Sequence, residues 1–337
     1  MAPADAQRIG LTATVPVEVL LAAGARAVDL NNVFITSADP AALVQEAEHR
    51  GFPLNCCAWI KGIYATARRL GLARVIGVAQ GDCSNTHALM EVLRSEGVEV
   101  IDFNYPYPAD RAALSEAIDA LADALGATRT EAEAARRRLL PLRHTLAAID
   151  RATWDANTVT GEENHLWLLG ASDFGGDPDA YETRAAAFLA EVRDRPALAD
   201  RHRIGYLGIP PICGGLHAFL ESLGARVVFN EFQRQFSMPN ASHDLVDQYA
   251  RYTYPYGVAG RIADIRQAVA ERRLDGLVHY VQSFCFRHIQ DRLLREAVGV
   301  PVLALEFDRP GPLDGQSRTR LEAFVEMLDA RRARRRG

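Results

Sequence analysis

The stretch RVIGVAQGDCSNTHALMEVLRSEGVEVIDF, residues 74–103, decides the fold. Its opening run, RVIGVA (74–79), is short, apolar and rich in β-branched side chains, which suit a pleated, buried strand. Glycine and polar residues follow, and then apolar positions recur at helical spacing from about Asn85 to Ser95. VEVIDF (98–103) reads as a second strand. Strand, helix and strand in that order make a βαβ unit, whose two strands run parallel.

The same alternation extends outward. ARAVDL (25–30) is a further strand of the first half, with helices expected over 40–50 and from Cys57 to Leu70. In the second half RIGYLG (203–208), ARVVFN (225–230), GLVHYV (276–281) and VPVLALEF (300–307) are strands. Helices are expected near 216–223, 258–272, 287–297 and 317–332. Between the halves, the Ala-, Arg-, Glu- and Leu-rich stretch 110–165 reads as helical throughout. The expectation is an α/β protein with an N-terminal half over 1–109, a mainly helical connection over 110–200 and a C-terminal half over 201–337.

Composition agrees. The chain has 337 residues, 48% hydrophobic and 24% charged, with net charge −5. That length suits two domains with real cores and excludes disorder or a disulfide-stapled mini-protein. No apolar run approaches the roughly 20 residues that span a bilayer. The start, MAPADAQRIG, lacks the basic region and apolar core of a signal peptide, so a cytoplasmic chain is expected. An acidic balance gives no reason to expect a nucleic-acid surface. The terminal DARRARRRG reads as a solvated helix end.

The chemistry concentrates in the cysteines, Cys56, Cys57, Cys83, Cys213 and Cys285. In a reducing compartment these are not structural disulfides. Cys83, Cys213 and Cys285 each fall a few residues after a strand, and ligands of open α/β sheets bind outside the carboxyl ends of strands. Cys57 opens a helix, where the dipole favours a thiolate. Thiolates so placed suit zinc or an iron–sulfur cluster better than a nucleophile. With no CxxC pair, spacing alone weighs equally for incidental, buried cysteines. His87 and His217 lie at helical spacing from Cys83 and Cys213, but neither pair stands in a protease or acyltransferase signature. GYLGIPPICGGLH lacks the G-x-G-x-x-G of a dinucleotide site. A Walker A motif is excluded, because the only lysine, Lys61, follows Ile60.

Six segments together resemble the 2-hydroxyacyl-CoA dehydratases and the related benzoyl-CoA reductase subunits. VPVEVLLAAGARAVDL (15–30) resembles that family's entry segment, and GFPLNCCAWIKG (51–62) its first cluster segment. GVAQGDCSN (77–85) is similar to the second cluster segment, although Ser84 stands where the family usually has Asp. IGYLGIPPICGGLHAFLESLGARVVFNE (204–231) resembles the strand–loop–helix of the second half. DGLVHYVQSFCFRH (275–288) and LEFDRPGPLDGQSRTRLEAFVEML (305–328) resemble the third cluster segment and the closing segment.

The resemblance implies two flavodoxin-like (Rossmann-like) halves and one [4Fe–4S] cluster held by Cys57, Cys83 and Cys285, with Lys61 as an associated basic residue. It implies an anaerobic lyase subunit that removes water from an acyl-CoA thioester by radical (ketyl) elimination. The partners implied are a paralogous or identical second subunit and a separate ATP-dependent iron–sulfur activator, with no nucleic acid and no membrane. Cys213 is a candidate fourth thiolate, which would favour the alternative reading, a non-catalytic iron–sulfur electron-transfer partner. Glu18, His217 and Glu231 are candidate acid–base groups, against the plainer roles of cap, surface charge and core histidine. Arg287, close to Cys285, is read equally as a charge partner or a surface arginine.

Overall fold

A computed structural model describes residues 7–199, 201–240, 242–283 and 285–336. The first six residues, on which the signal-peptide reading partly rests, lie outside them, as do Asp200 at the expected boundary and Gly337 of the tail. The chain divides into two compact units. Unit 1 comprises residues up to Ala147, with Leu169–Ala187 and Gln235–Gly257; unit 2 comprises Ala148–Leu168, Phe188–Arg234 and the residues from Val258 onward. The stretch read as a helical connection is thus shared between the two.

Unit 1 holds a four-stranded sheet of β1 (Arg8–Leu11), β2 (Arg26–Asp29), β3 (Arg74–Gln80) and β4 (Glu99–Asn104). The order is β2-β1-β3-β4 and every pairing is parallel. Unit 2 repeats the plan with β5 (His202–Leu207), β7 (Ala225–Asn230), β8 (Gly276–Val281) and β9 (Val302–Glu306) in the order β7-β5-β8-β9, again all parallel. In each sheet the chain's second strand lies outside the first and the third returns to its other side, the opening of the flavodoxin-like order. A two-residue strand β6 (Cys213–Gly214) pairs in parallel with β10 (Gly311–Pro312).

The burial pattern follows from the layers. β7 and β8 are buried at every residue, as strands covered on both faces must be, whereas the edge strand β4 is largely open. In unit 1 the helix Ala58–Arg69 is buried from Ala58 to Ala67, and Gly62 makes this possible. A Cβ there would lie 2.4 Å from the Phe34 ring, which itself meets Trp59 edge-on at 5.4 Å.

β6, β10 and the helix Leu30–Ile35 stand where no such element is expected, and sequence and structure part at two further places. β1 (RIGL) runs into TATVPVEVLL without a break, so its four residues do not separate from the helix Val17–Ala22 that follows. The 110–165 stretch, read as helical throughout, is helical over most of its length but broken twice: Arg111–Leu125 ends on Gly126 at φ 71, and Arg129–Trp154 is separated from Gly161–Leu169 by a loop in which Asn157 has φ 57. Among the described residues no helix is long and apolar enough to cross a membrane.

Candidate functional site

Parallel topology fixes where the cysteines stand. Helices between parallel strands run against them, so helix N-termini gather at the carboxyl edge of the sheet. In unit 1, Cys57 is the N-cap of the helix Ala58–Arg69 and Cys83 the N-cap of Ser84–Ser95. Both therefore stand at the carboxyl edge of the first sheet. Both are half-buried and, with Cys56, pack on one apolar cluster that includes Leu30, Ile60, Tyr64 and Leu89.

The environment of each thiol differs. Cys83 donates its N–H to Asp82 Oδ1 (2.8 Å), and Thr86 Oγ1 bonds Asp82 Oδ2 (3.0 Å), which fixes the turn. Burial first, and then the Asp82 charge, push the Cys83 thiol up. Burial also raises Cys56, partly offset by Lys61. A thiol of this kind becomes a thiolate when a metal takes its proton's place.

Lys61 does not reach outward. It is 2% exposed, and its Nζ donates to Glu48 Oε1 (2.6 Å) and to the carbonyls of Leu54 (3.1 Å) and Pro53 (3.5 Å). The ammonium thereby ties down the turn that leads into Cys56 and Cys57. Glu48 is a partner that sequence reasoning did not find, because nothing local links positions on two helices.

Glu18 is fully buried and accepts from Arg143, from Gln248 Nε2 (2.8 Å) and from the Tyr249 hydroxyl (2.8 Å). Its oxygens are committed to joining three segments of unit 1. The loop after β1 is held in turn by the Tyr105 hydroxyl on Thr14 O (2.9 Å) and that of Tyr249 on Val15 O (3.2 Å).

In unit 2, Cys285 caps the 3-10 helix Phe286–Gln290 just past β8, and His288 N–H donates to its carbonyl (2.9 Å). Arg287 is buried, its guanidinium 4.9 Å from the Phe286 ring centre and 5.6 Å from that of Phe232, so the surface reading falls. Phe286 and Ile289 are exposed beside it. Cys213 is buried in β6, and burial pushes its thiol up to about 12. A fourth thiolate there would have to form against that burial.

The other two acid–base candidates are also interior. Burial would raise the Glu231 carboxyl, but the Arg261 guanidinium, bonded at 2.6 and 2.9 Å, holds it below the ordinary range, and Gly208 N–H adds a third donor (3.0 Å). Gly208 has φ 95, and a Cβ there would lie 2.5 Å from Tyr280 O, so the loop after β5 requires glycine at that point. Burial lowers His217 to about 4, leaving a neutral ring 5.1 Å from that of His165. Its Nε2 has no hydrogen-bond partner among the described residues. Of the three candidates, only His217 keeps an uncommitted ring nitrogen.

Cys57 and Cys83 stand on unit 1, and Cys213 and Cys285 on unit 2. Among the described residues no group of three or more His, Cys, Asp or Glu side chains is gathered to hold a metal ion. The donor chemistry nevertheless suits a thiolate-ligated cluster: Cys57, Cys83 and Cys285 are each half-buried and each open a helical turn.

No curated protein matches the chain. Among solved structures it is matched to the SBP FpvC from Pseudomonas aeruginosa in complex with Ni2+, at 13% identity over 97% of this chain and 98% of that one, with TM-score 0.24. A second structure of FpvC, in complex with Mn2+, is matched at 14% identity over 97% and 99% of the two chains, with TM-score 0.23. Overlap this low carries no weight for fold or chemistry. The family model of the 2-hydroxyglutaryl-CoA dehydratase D-component, in contrast, matches residues 12–328, from the loop after β1 into the last helix. The chain belongs to the 2-hydroxyglutaryl-CoA dehydratase D-component family.

Proposed function

We propose that this chain is the [4Fe–4S]-carrying subunit of a 2-hydroxyacyl-CoA dehydratase-like lyase, with Cys57, Cys83 and Cys285 as ligands. The observation that carries the proposal is the family match over 12–328, in which the three segments named above each put a half-buried cysteine at the opening of a helical turn. When bound, such a cluster supplies a Lewis-acidic iron with a replaceable ligand and a route for single electrons, which suits radical removal of water from a CoA thioester.

The chain's own residues prepare that chemistry. The amino ends of the helices that Cys57 and Cys83 open favour negative charge at those positions. The buried Arg287 guanidinium stands two residues along the chain from Cys285 and brings positive charge to that turn. The Lys61–Glu48 pair sets the turn before Cys57, and the apolar cluster under Cys57 and Cys83 keeps water away. Glu18 and Glu231 act as interior anions that hold loops in place, and His217 remains as the neutral candidate for handling a proton.

The only lysine is committed to Glu48 and stands outside any glycine-rich phosphate loop, which removes ATP coupling of the phosphate-loop type. Energising the electron is assigned to a separate ATP-dependent iron–sulfur activator, as the resemblance implies. A second subunit, identical or paralogous, completes the enzyme.

The test is iron and acid-labile sulfide content with an EPR spectrum after anaerobic purification, for the native chain and single Ser variants. Cys57→Ser, Cys83→Ser and Cys285→Ser should each lose most of the iron, whereas Cys56→Ser and Cys213→Ser should keep it. An iron-free native chain, or iron retained in all three ligand variants, would refute the proposal.

A further inference from the structure

We propose that the turn Asp173–Gly176 is a pH-sensitive latch in unit 1, closed while Asp29 and Asp173 share a proton and loosened when that proton leaves. The two carboxylates meet at the carboxyl end of β2, where Asp29 is 4% and Asp173 8% exposed. Asp173 Oδ2 accepts from the Asp29 N–H (2.7 Å), and its Oδ1 from the Gly175 N–H (2.8 Å). Asp29 Oδ1 accepts from the Asn31 N–H (2.9 Å) and Asn31 Nδ2 (3.0 Å), and the Ser172 hydroxyl bonds the same carboxylate.

Hydrogen bonds are thus supplied, but counter-charge is not. Neither carboxylate is ion-paired to a described lysine or arginine. Glu18, Asp150 and Glu231, interior carboxylates elsewhere in the chain, each have one, in Arg143, Arg272 and Arg261. Two buried carboxylates in contact resist ionising together, and one proton between them relieves the repulsion. Burial first, and then the Asp29 charge, push Asp173 up to about 6, and burial raises Asp29 as well.

The backbone of the turn is strained. Phe174, Gly175 and Gly176 run in succession through the left-handed region, at φ 53, 63 and 74. Glycine tolerates that region, whereas a bulky side chain avoids it. Phe174 is kept there by burial, with its ring edge-on to Tyr181 (5.8 Å), and by the two amide bonds to Asp173. From β2, Arg26 donates to Gly175 O (3.2 Å) and lies across Gly176, where a Cβ would stand 2.2 Å from its Nε. From the helix Pro178–Val192, Tyr181 faces the turn with its phenol held protonated by burial, and Arg184 stands 5.4 Å from the Tyr181 ring centre. The helix Leu30–Ile35, packed on the other side, carries no charged residue.

The latch holds more than itself. Asp29 caps the helix Leu30–Ile35, and Asn32 Nδ2 of that helix donates to Leu169 O (3.1 Å) and Ser172 Oγ (2.9 Å). Phe34 of the same helix fills the space over Gly62 and meets Trp59, both on the helix that Cys57 opens. Loosening at Asp173 is therefore passed through one short helix to the packing behind Cys57.

The sign follows from linkage. A carboxyl near 6 when closed and near 4 when open favours closure at low pH, and the advantage is lost as pH rises through about 6. The experiment is hydrogen–deuterium exchange of the full chain at pH 5 and pH 7, read amide by amide and corrected for intrinsic rates. Protection of the Asp29 and Gly175 amides should fall about tenfold between the two, while Val75–Val78 in β3 keep theirs. Asp29→Asn and Asp173→Asn should each reduce the fall to about threefold, and the double variant should abolish it. A fall below about twofold in the native chain, or a fall undiminished in all three variants, overturns the latch. An equal fall at Val75–Val78 also overturns it, because titration would then act on unit 1 as a whole.

Discussion

Replacing Lys61 by methionine separates a structural lysine from one that serves a ligand. The side chain is 2% exposed and its Glu48 partner 13% exposed, so the pair is withdrawn from most solvent screening. Removing one member of a buried pair costs about 3–5 kcal/mol, because the other charge is left uncompensated. Glu48 keeps some access to water, so the low end applies, about 3 kcal/mol. Methionine retains most of the aliphatic packing, and the loss therefore reports the charge and the two carbonyl contacts rather than a cavity. The double variant Lys61→Met, Glu48→Gln removes both charges and should recover about 2 kcal/mol of the loss, a coupling of the size seen for contacting residues. Urea unfolding gives the energies, and the labelling rate of Cys56 and Cys57 in metal-free protein reports the turn, which should loosen in Lys61→Met. A group reserved for a substrate or cofactor behaves in the opposite way, since its removal leaves stability unchanged or improved. A loss below about 1 kcal/mol with unchanged labelling would refute the account of Lys61 as a strut.

Three further outcomes follow from unit 1 and unit 2. Asp29 and Asp173 lie together, Asp29 N–H donating to Asp173 Oδ2 (2.7 Å), and burial, then the Asp29 charge, push Asp173 up to about 6. A carboxyl raised on folding adds stability that is complete below its unfolded value near 4 and is lost as pH rises through about 6, here on the order of 2–3 kcal/mol. Asp29→Asn keeps the helix cap for Asn31 and Asn32 while removing the charge, so stability measured from pH 4 to 7 should flatten relative to the native chain. Gly62→Ala should destabilise by about 1–2 kcal/mol in urea unfolding, because overpacking against Phe34 exceeds the gain of about 1 kcal/mol in helix propensity. Cys213 should resist thiol reagents at pH 8 in the native chain and react only as unfolding exposes it, since burial holds its proton to about 12.

Much of the architecture was legible because parallel strands buried on both faces leave short, unbroken β-branched runs such as ARVVFN and GLVHYV. β1 was not legible, and it occupies an interior position of its sheet, so the strand order was hidden although the fold class was not. Cys57, Cys83 and Cys285 stand at helix openings, as chain order suggested, whereas Cys213 stands in the short strand β6 rather than in a loop. Their surroundings were not legible. Burial of Cys213, the engagement of Lys61 by Glu48 and the placement of Arg287 between rings all depend on tertiary neighbours far along the chain. Glu18 and Glu231 were candidates weighed against plainer structural roles, and their partners Arg143, Gln248, Tyr249 and Arg261, all distant in sequence, are what decide for the structural one.

The duplicated strand order also bears on how many thiols the fold offers. The loop after the third strand carries Cys83 in unit 1 and Cys285 in unit 2, so these two occupy corresponding positions. The helix before the third strand opens with Cys57 in the first sheet, but its counterpart Val258–Glu271 is preceded by Gly257. The loop after the first strand carries Cys213 in unit 2 and Thr12–Pro16 in unit 1, and Cys213 is the buried residue of a small two-stranded ribbon, with its proton held. Two sheets built on one plan thus present an odd number of half-buried thiols at helix openings, two from one sheet and one from the other. An odd set cannot arise from strict repetition, and the departure lies in one position, glycine where its counterpart is cysteine. Gly257→Cys would restore the symmetry. On the proposed function, in which the missing thiol leaves a coordination position for substrate, it should raise iron content and lower turnover, and the two measured side by side in that variant decide the point.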